Sequence, residues 1–428
     1  MKVFKFGGAS VKNAEAVKNV ASILNLFQSE KLMVVISAMG KTTNALENYN
    51  RAVFYKQNDS GSILTDIITF HKEIMDELGL LENNDFPEVI KSIFNDLESF
   101  SNSSEKFSFD HMYDQIVSKG EMLSTKIVNL YLNKINLKSS WLDVRECIHT
   151  DHSHREGKVD WELTAEKTKS VIPQLLENYD AVITQGFIGN SPKNFTTTLG
   201  REGSDYSSSI LAHCLDAEDL TIWKDVPGVL NADPKWFDNT VKLDKLSYQD
   251  AIELAYYGAS VIHPKTIQPL KNKDIKLHVK SFLNPKEDGT VVGEGSYDSL
   301  IPSFIFKMDQ VIISIASKDF SFIAEDYLHT IFGIFANNGL KINLMQNSAI
   351  SFLVCINNDP EKIKAVVEEL NNHNFKIELD QNLELITIRY YDSATIERVC
   401  KNKDIVLQQK GKRTIQLVVK DLGKGITI

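Results

Sequence analysis

The chain has 428 residues, of which 43% are hydrophobic, 24% charged and 9% aromatic, enough for sizeable cores and, at ~150 residues per domain, for two or three domains. Wholesale disorder, collagen and coiled coil are excluded. Asp and Glu number 57 against 47 Lys and Arg, a net charge of -10, so a nucleic-acid partner is not expected and any anionic ligand must find a local pocket.

In chain order, the first half alternates short apolar runs with helical stretches, the pattern of a mostly parallel α/β sheet. Val3 to Phe6 reads as a strand, Ala14 to Phe27 as a helix and Leu32 to Ser37 as a second strand. From Ala52 to Asp114 the sequence is helical and polar, with a serine-rich stretch at Ser99 to Ser104 that reads as a surface loop. Two more buried strands follow, Ala181 to Thr184 and Leu220 to Trp223, each ending in small or polar residues. In open α/β sheets ligands sit beyond the carboxyl ends of the strands, so chemistry is sought there. Turn formers crowd residues 284–303, which read as a linker. Beyond it, Val311 to Ala316, Leu328 to Asn337, Lys341 to Met345, Ile350 to Ile356, a helix from Glu361 and a strand near Phe375 spell βαββαβ, the ferredoxin-like order. A second, shorter copy runs from Leu383 to Lys420. Paired small repeats suggest a regulatory module.

The four cysteines, Cys147, Cys214, Cys355 and Cys400, form no CxxC pair, which suggests neither a zinc site nor a disulfide framework and fits a reducing compartment. The opening residues lack a signal peptide's apolar core, and no apolar run approaches the ~20 residues a membrane span needs. A cytoplasmic protein without a membrane partner is expected.

Four segments could carry chemistry. Lys5-Phe6-Gly7-Gly8 stands where the first strand ends; glycines there let backbone N–H groups approach a phosphate, and Lys5 adds a charge for a transferring phosphoryl group. A tight turn with a solvated lysine explains KFGG alone equally well. Ser118-Lys119-Gly120-Glu121 opens a helix; Glu121 could orient an amine, and a favourable helix-dipole position explains it nearly as well. The run from Thr196 to Asp205, TTTLGREGSD, offers Arg201 as a planar fork for a carboxylate and Asp205 near a helix start, with helix capping by Ser204 or Asp205 an even alternative. Trp223 to Lys235, with its Pro-Gly and Asp-Pro turns, is a rigid loop able to frame a nucleotide. Gly40-Lys41-Thr42 imitates the end of a P-loop, but the position five before Gly40 is Val35, so the phosphate cradle is absent. His149, His152 and His154 read as a solvated loop rather than a metal site.

Taken together in order, KFGGAS, SAMGKTTN at 37–44, SKGE at 118–121, Asp143-Val144-Arg145, TTTLGREGSD, KDVPG and YGASVIHP from Tyr257 closely resemble the aspartate kinases of the amino acid kinase superfamily, and the paired tail resembles that family's ACT domains. The resemblance implies a mostly parallel α/β catalytic domain over 1–283, a linker over 284–303, a first ACT domain over 304–380 and a second unit over 381–428. It implies a monofunctional chain, without a homoserine dehydrogenase domain. It also implies ATP-dependent phosphorylation of L-aspartate with Mg2+, and a homodimer through the ACT domains. By the same resemblance, Lys5 meets the transferring phosphate; Thr43, Glu121, Arg201, Ser204 and Asp205 surround aspartate; Phe6, Gly7, Gly8, Lys224, Asp225, Leu230, Lys235, Ser260 and Val261 belong to the nucleotide site. No metal-ligating side chains are assigned. The departures are Ala9 for a hydroxyl residue, Leu230 for a tyrosine and Ser260 for a lysine. In the effector region, where an amino acid would meet Asn343, Asn347 and Ser348, Asp326-Tyr327 replaces Gly-Phe, Asn343 an aspartate, and Asn347-Ser348-Ala349 a Thr-Ser-Glu. With those carboxylates lost, a weak response to lysine, or a response to a different effector, is expected.

Overall fold

Leu32–Ile36 is apolar at every position, so it cannot present one face to water and must be covered by helices on both sides. The computed structural model describes residues 1–102, 107–237, 239–259, 262–295, 301–319 and 321–422. It divides into two compact units, one of residues 1–229, 244–252 and 261–297, the other of residues 230–243, 253–260 and 298–428.

The first unit holds β1 (Lys2–Phe6), β2 (Leu32–Ile36), β3 (Ser139–Leu142), β4 (Ala181–Gln185), the hairpin of β5 (Ile188–Asn190) and β6 (Thr196–Thr198), β7 (Asp219–Lys224), β8 (Lys245–Ser247), β9 (Lys276–Ser281) and β10 (Thr290–Gly293). Apart from the hairpin these form one sheet, ordered β3-β4-β2-β1-β7-β9-β10-β8. Every pairing in it is parallel except β9 with β10. The turn formers of 284–303 therefore flank a short strand, β10, that completes the sheet.

The helices of this part are α1 (Ala14–Asn25), α2 (Thr42–Phe54), α3 (Ser60–Glu77), α4 (Glu88–Asn102), α5 (Phe109–Val117), α6 (Lys119–Lys134), α7 (Trp161–Asn178), α8 (Gly203–Cys214) and α10 (Pro264–Lys271), while α9 (Tyr248–Tyr257) begins in this unit and ends in the second. α2 to α5 build the helical stretch expected over 52–114. Ser99 and Ser101 are helical rather than looped because their hydroxyls are satisfied there: Ser99 donates to Asp96 O at 2.6 Å, and Ser101 lies 2.7 Å from the Tyr49 hydroxyl. Ser103 and Ser104 lie outside the described residues.

The second unit holds β11 (Ser303–Ser317), α11 (Glu325–Asn337), β12 (Ile342–Asn347), β13 (Ser351–Asn357), α12 (Pro360–Asn372), β14 (Phe375–Arg389), α13 (Ser393–Cys400), β15 (Lys403–Lys410) and β16 (Thr414–Asp421). All six strands share one antiparallel sheet, ordered β12-β13-β11-β14-β16-β15. β11 and β14 are long because each serves both repeats: residues 303–307 pair with 385–389, and 312–317 pair with 375–380 across bulges. The first repeat is the expected βαββαβ. The second borrows a strand from β11 and has only α13 as a helix. Ala232 and Phe237 complete its core, packed with Phe304, Ile386, Ile388 and Leu417, with the Phe237 ring stacked 4.7 Å from that of Phe304.

Candidate active site

β1, β2, β4 and β7 end along one edge of the sheet, and a cavity of about 820 Å³ opens there. Its lining brings together Lys5, Thr43, Glu121, Arg201, Ser204, Asp205 and Lys224, seven residues expected from five separate motifs.

At its floor, Lys5 Nζ lies 2.6 Å from Asp205 Oδ1 and Lys224 Nζ 3.8 Å from Oδ2. Burial pushes the Asp205 carboxyl up, but the charges of Lys5 and Lys224, the Lys5 hydrogen bond and His263 outweigh it and hold the group below its ordinary value. Asp205 is therefore an anion that fixes two ammonium groups side by side. A Cβ added to Gly7 would sit 3.4 Å from Lys5 Nζ, so bare backbone borders that charge. At Gly8 it would approach Ala38 O at 2.8 Å and Gly40 O at 2.9 Å. The turn after β1 thus fits against the turn after β2 only with glycine, and Gly40 N donates to Gly8 O at 3.0 Å to hold the two together.

Glu121 enters from the first turn of α6 and is 2% exposed. Ala38 N donates to its Oε1 at 3.3 Å, while its Oε2 is buried without a hydrogen-bond partner. Burial pushes its carboxyl up to about 8, against the Ala38 N–H, its own backbone and Lys5. An unpartnered carboxylate oxygen facing a cavity is a seat for a cationic group.

Arg201 and Ser204 come from the turn into α8. Glu202, at the helix N-cap, has φ +54, a left-handed conformation uncommon for a side-chain-bearing residue. Behind the turn, Arg145 is bound to Asp143 by two N–H donors, Nε at 2.9 Å to Oδ1 and a terminal nitrogen at 2.6 Å to Oδ2, and donates to Thr196 Oγ1 at 2.9 Å. The Asp-Val-Arg segment is thus a brace for the threonine strand.

Other expected residues fall elsewhere. Phe6 is buried with its ring stacked 5.9 Å from that of Trp223, so its side chain belongs to the core. Asp225 is exposed and outside the cavity lining. Leu230 and Lys235 belong to the second unit. Ser260 and Val261 lie outside the described residues. In the second unit, the Asn343 carbonyl accepts from Lys307 Nζ at 2.9 Å, and its amide donates to Gln310 and Asn357 at 2.9 and 2.8 Å. Ser348 bonds with Ser351 at 2.6 Å, and Asn347 is exposed. His154 is not a solvated loop residue: its Nδ1 is 2.8 Å from Asp114 Oδ2. Among the described residues no group of three or more His, Cys, Asp or Glu could hold a metal ion.

Sequence reasoning missed Ser37, Glu47, Tyr113, Arg155, Glu156, Phe187 and Glu202, all in the lining. Glu47 was within reach, four residues after Thr43 on one face of α2. Glu202 sits inside a quoted motif. Tyr113 and Arg155 carry no local signal, because their meeting, with the guanidinium 4.5 Å from the ring centroid, depends on the tertiary fold.

Paired lysines on one carboxylate, a glycine turn at a strand end and a buried carboxylate thus meet at one cavity of an α/β unit without a P-loop. The chain belongs to the amino acid kinase family, whose model matches residues 1–281, and within it to the aspartokinases. The lysine-sensitive aspartokinase 3 of Escherichia coli is 30% identical over 82% of this chain and 76% of its own length. The bifunctional aspartokinase/homoserine dehydrogenase 2 of Arabidopsis thaliana is 28% identical over 86% of this chain, which spans 41% of that protein. Crystal structures of E. coli aspartokinase III, one with aspartate and ADP and one with lysine and aspartate, superpose with TM-scores of 0.81 and 0.79 at 26% identity, covering 98% of this chain and 96% of theirs. Among the described residues no helix is long and apolar enough to cross a membrane.

Proposed function

We propose that the chain phosphorylates the side-chain carboxylate of L-aspartate with ATP to give 4-phospho-L-aspartate, the first step toward lysine, threonine and methionine. The observation that carries this reading is the pairing, in one cavity, of an unpartnered buried carboxylate with a guanidinium and two lysines. Glu121 receives the α-ammonium group, Arg201 a carboxylate, and Thr43 and Ser204 supply hydroxyls. The aspartate and ADP held by the E. coli enzyme support this choice of ligands.

The bare backbone at Gly7 beside Lys5 fits a nucleotide's phosphates, with Lys5 and Lys224 as their cations. Bound ATP would supply the phosphoryl group and its Mg2+ a counter-charge, and Asp205 is the carboxylate of the cavity floor that would hold that ion. An aspartate side chain with an ordinary pKa of ~3.9 is already ionised at neutral pH, so no general base is required. The chain's own contribution is alignment, together with charge neutralisation by Lys5.

The second unit supports regulation by an amino acid and pairing of two chains. β12 is an edge strand with Met345 and Asn347 exposed, open to edge-to-edge pairing. Initial rates of ADP release test the catalytic reading: L-aspartate should support turnover at least ~100-fold above L-glutamate in kcat/KM, and equal rates with both, or none with aspartate, would contradict it.

A further inference from the structure

Behind the cavity wall, outside the lining, lies Asp114 on α5, with no exposed surface. Its carboxylate is met by three donors on two other segments. Thr198 Oγ1 donates at 2.7 Å from β6, the strand that leads into Gly200 and Arg201. From the 151–157 loop, Arg155 N donates at 3.2 and 3.1 Å to the two oxygens, and His154 Nδ1 lies 2.8 Å away. Burial pushes the carboxyl up, and these same donors pull against it. His154 Nε2 is in turn 3.2 Å from His111 Nδ1, one turn back on α5, so the loop is held twice to that helix.

Two walls of the aspartate cavity therefore hang from one buried carboxylate. The loop wall is Arg155 and Glu156, both in the lining. Arg155 has φ +65, a conformation that needs support, and its guanidinium rests on the Tyr113 ring, whose hydroxyl donates to Glu47 at 2.6 Å. The other wall is Gly200 to Asp205, reached through the buried threonine run, whose Thr198 O accepts from Gly157 N at 2.8 Å. The two walls also touch directly: a Cβ on Gly200 would lie 3.3 Å from Glu156 Cγ and 3.4 Å from Arg155 O. The hydrogen bonds of this arrangement join α5, β6 and the 151–157 loop.

We propose that Asp114 is a positioning residue for the amino-acid substrate: by tying β6 to the Arg155–Glu156 loop it sets the width of the aspartate pocket and the aim of Arg201, without contacting either substrate. This rests on the kinase reading above. Its consequence is selective: loosening the clamp weakens amino-acid binding and leaves the nucleotide end unaltered.

The test compares Asp114→Asn, which removes one of the two acceptor oxygens, with Thr198→Val, which removes the donor on β6, in the full-length protein. Asparagine is isosteric and keeps an acceptor for Thr198 or Arg155 N, so the fold is retained, and melting temperature is measured for each variant. Each substitution should raise the KM for aspartate about tenfold or more, with the KM for ATP within about twofold and kcat within about threefold. Their combined effect should be less than the product of the two. Calorimetric titration of aspartate without nucleotide should weaken by the same factor as KM. An unchanged aspartate KM in Asp114→Asn would overturn the proposal, as would parallel losses in kcat, both KM values and melting temperature, the pattern of a merely structural role. Absence of aspartate-dependent turnover in the unsubstituted protein would overturn the kinase reading and this role with it, an outcome distinct from a variant that leaves an active enzyme unaffected.

Discussion

Glu121 pays in stability for what it offers in binding. Its carboxyl is pushed up to about 8 from an ordinary 4.5, chiefly by burial. A group whose pKa is raised on folding contributes stability below its unfolded value and loses it as pH rises through the folded value, so the ligand-free protein is weakened by this residue between pH 4.5 and 8. An arriving ammonium group reverses that balance by favouring the anion. Glu121→Gln should therefore raise the melting temperature of the ligand-free protein more at pH 8 than at pH 5, while raising the KM for aspartate by about tenfold or more. Thermal scans at the two pH values check the first part and aspartate titration of the rate the second; a variant destabilised at pH 8 would contradict the assignment. Lys5 and Asp205 make the opposite kind of pair. Each charge supports the other, so the lysine is held in place before the nucleotide arrives.

At the scale of elements, strand ends were the legible part. KFGG and TTTLGREGSD stand where apolar runs break into glycine, and the fold brings Lys5, Arg201 and Asp205 to one cavity as the motif order implied. The 230–243 loop was not legible. Its Pro and Asp residues read as a nucleotide frame, but Ala232 and Phe237 pack in the second unit's core, against residues more than sixty positions away that no local pattern announces. The length of β11 was hidden for a similar reason: two repeats sharing one strand leave no break in the sequence where one ends. β12 gives a prediction at this scale. Asn343 spends both ends of its amide on Lys307, Gln310 and Asn357, and Ser348 is bonded to Ser351. Neither leaves a carboxylate for an effector's ammonium group, so half-maximal inhibition by lysine should need more than ~1 mM, with a binding energy no better than about -4 kcal/mol. A lysine titration of the rate with half-inhibition at tens of micromolar would contradict this.

Across the whole molecule the chain does not fall into consecutive domains. Residues 230–243 and 253–260 belong to the second unit although both flanks belong to the first, so the polypeptide passes between units several times before its last crossing at residue 298. Such crossings give the second unit covalent continuity with β7, which carries Lys224, and run through α9. Two copies meeting along β12 would be read by light scattering as twice the chain mass, and a single-chain mass at micromolar concentration would count against that edge. The central claim concerns a bond: phosphate on a carboxyl group, placed there with Lys5 neutralising the charge. The most direct measurement traps that product. Acyl phosphates react with hydroxylamine to give hydroxamates, so the protein incubated with Mg-ATP, L-aspartate and hydroxylamine should accumulate aspartyl hydroxamate in step with ADP. Lys5→Ala should lose at least ~1000-fold of that rate. ADP release without hydroxamate, or a Lys5→Ala variant as active as the unsubstituted protein, would contradict the account.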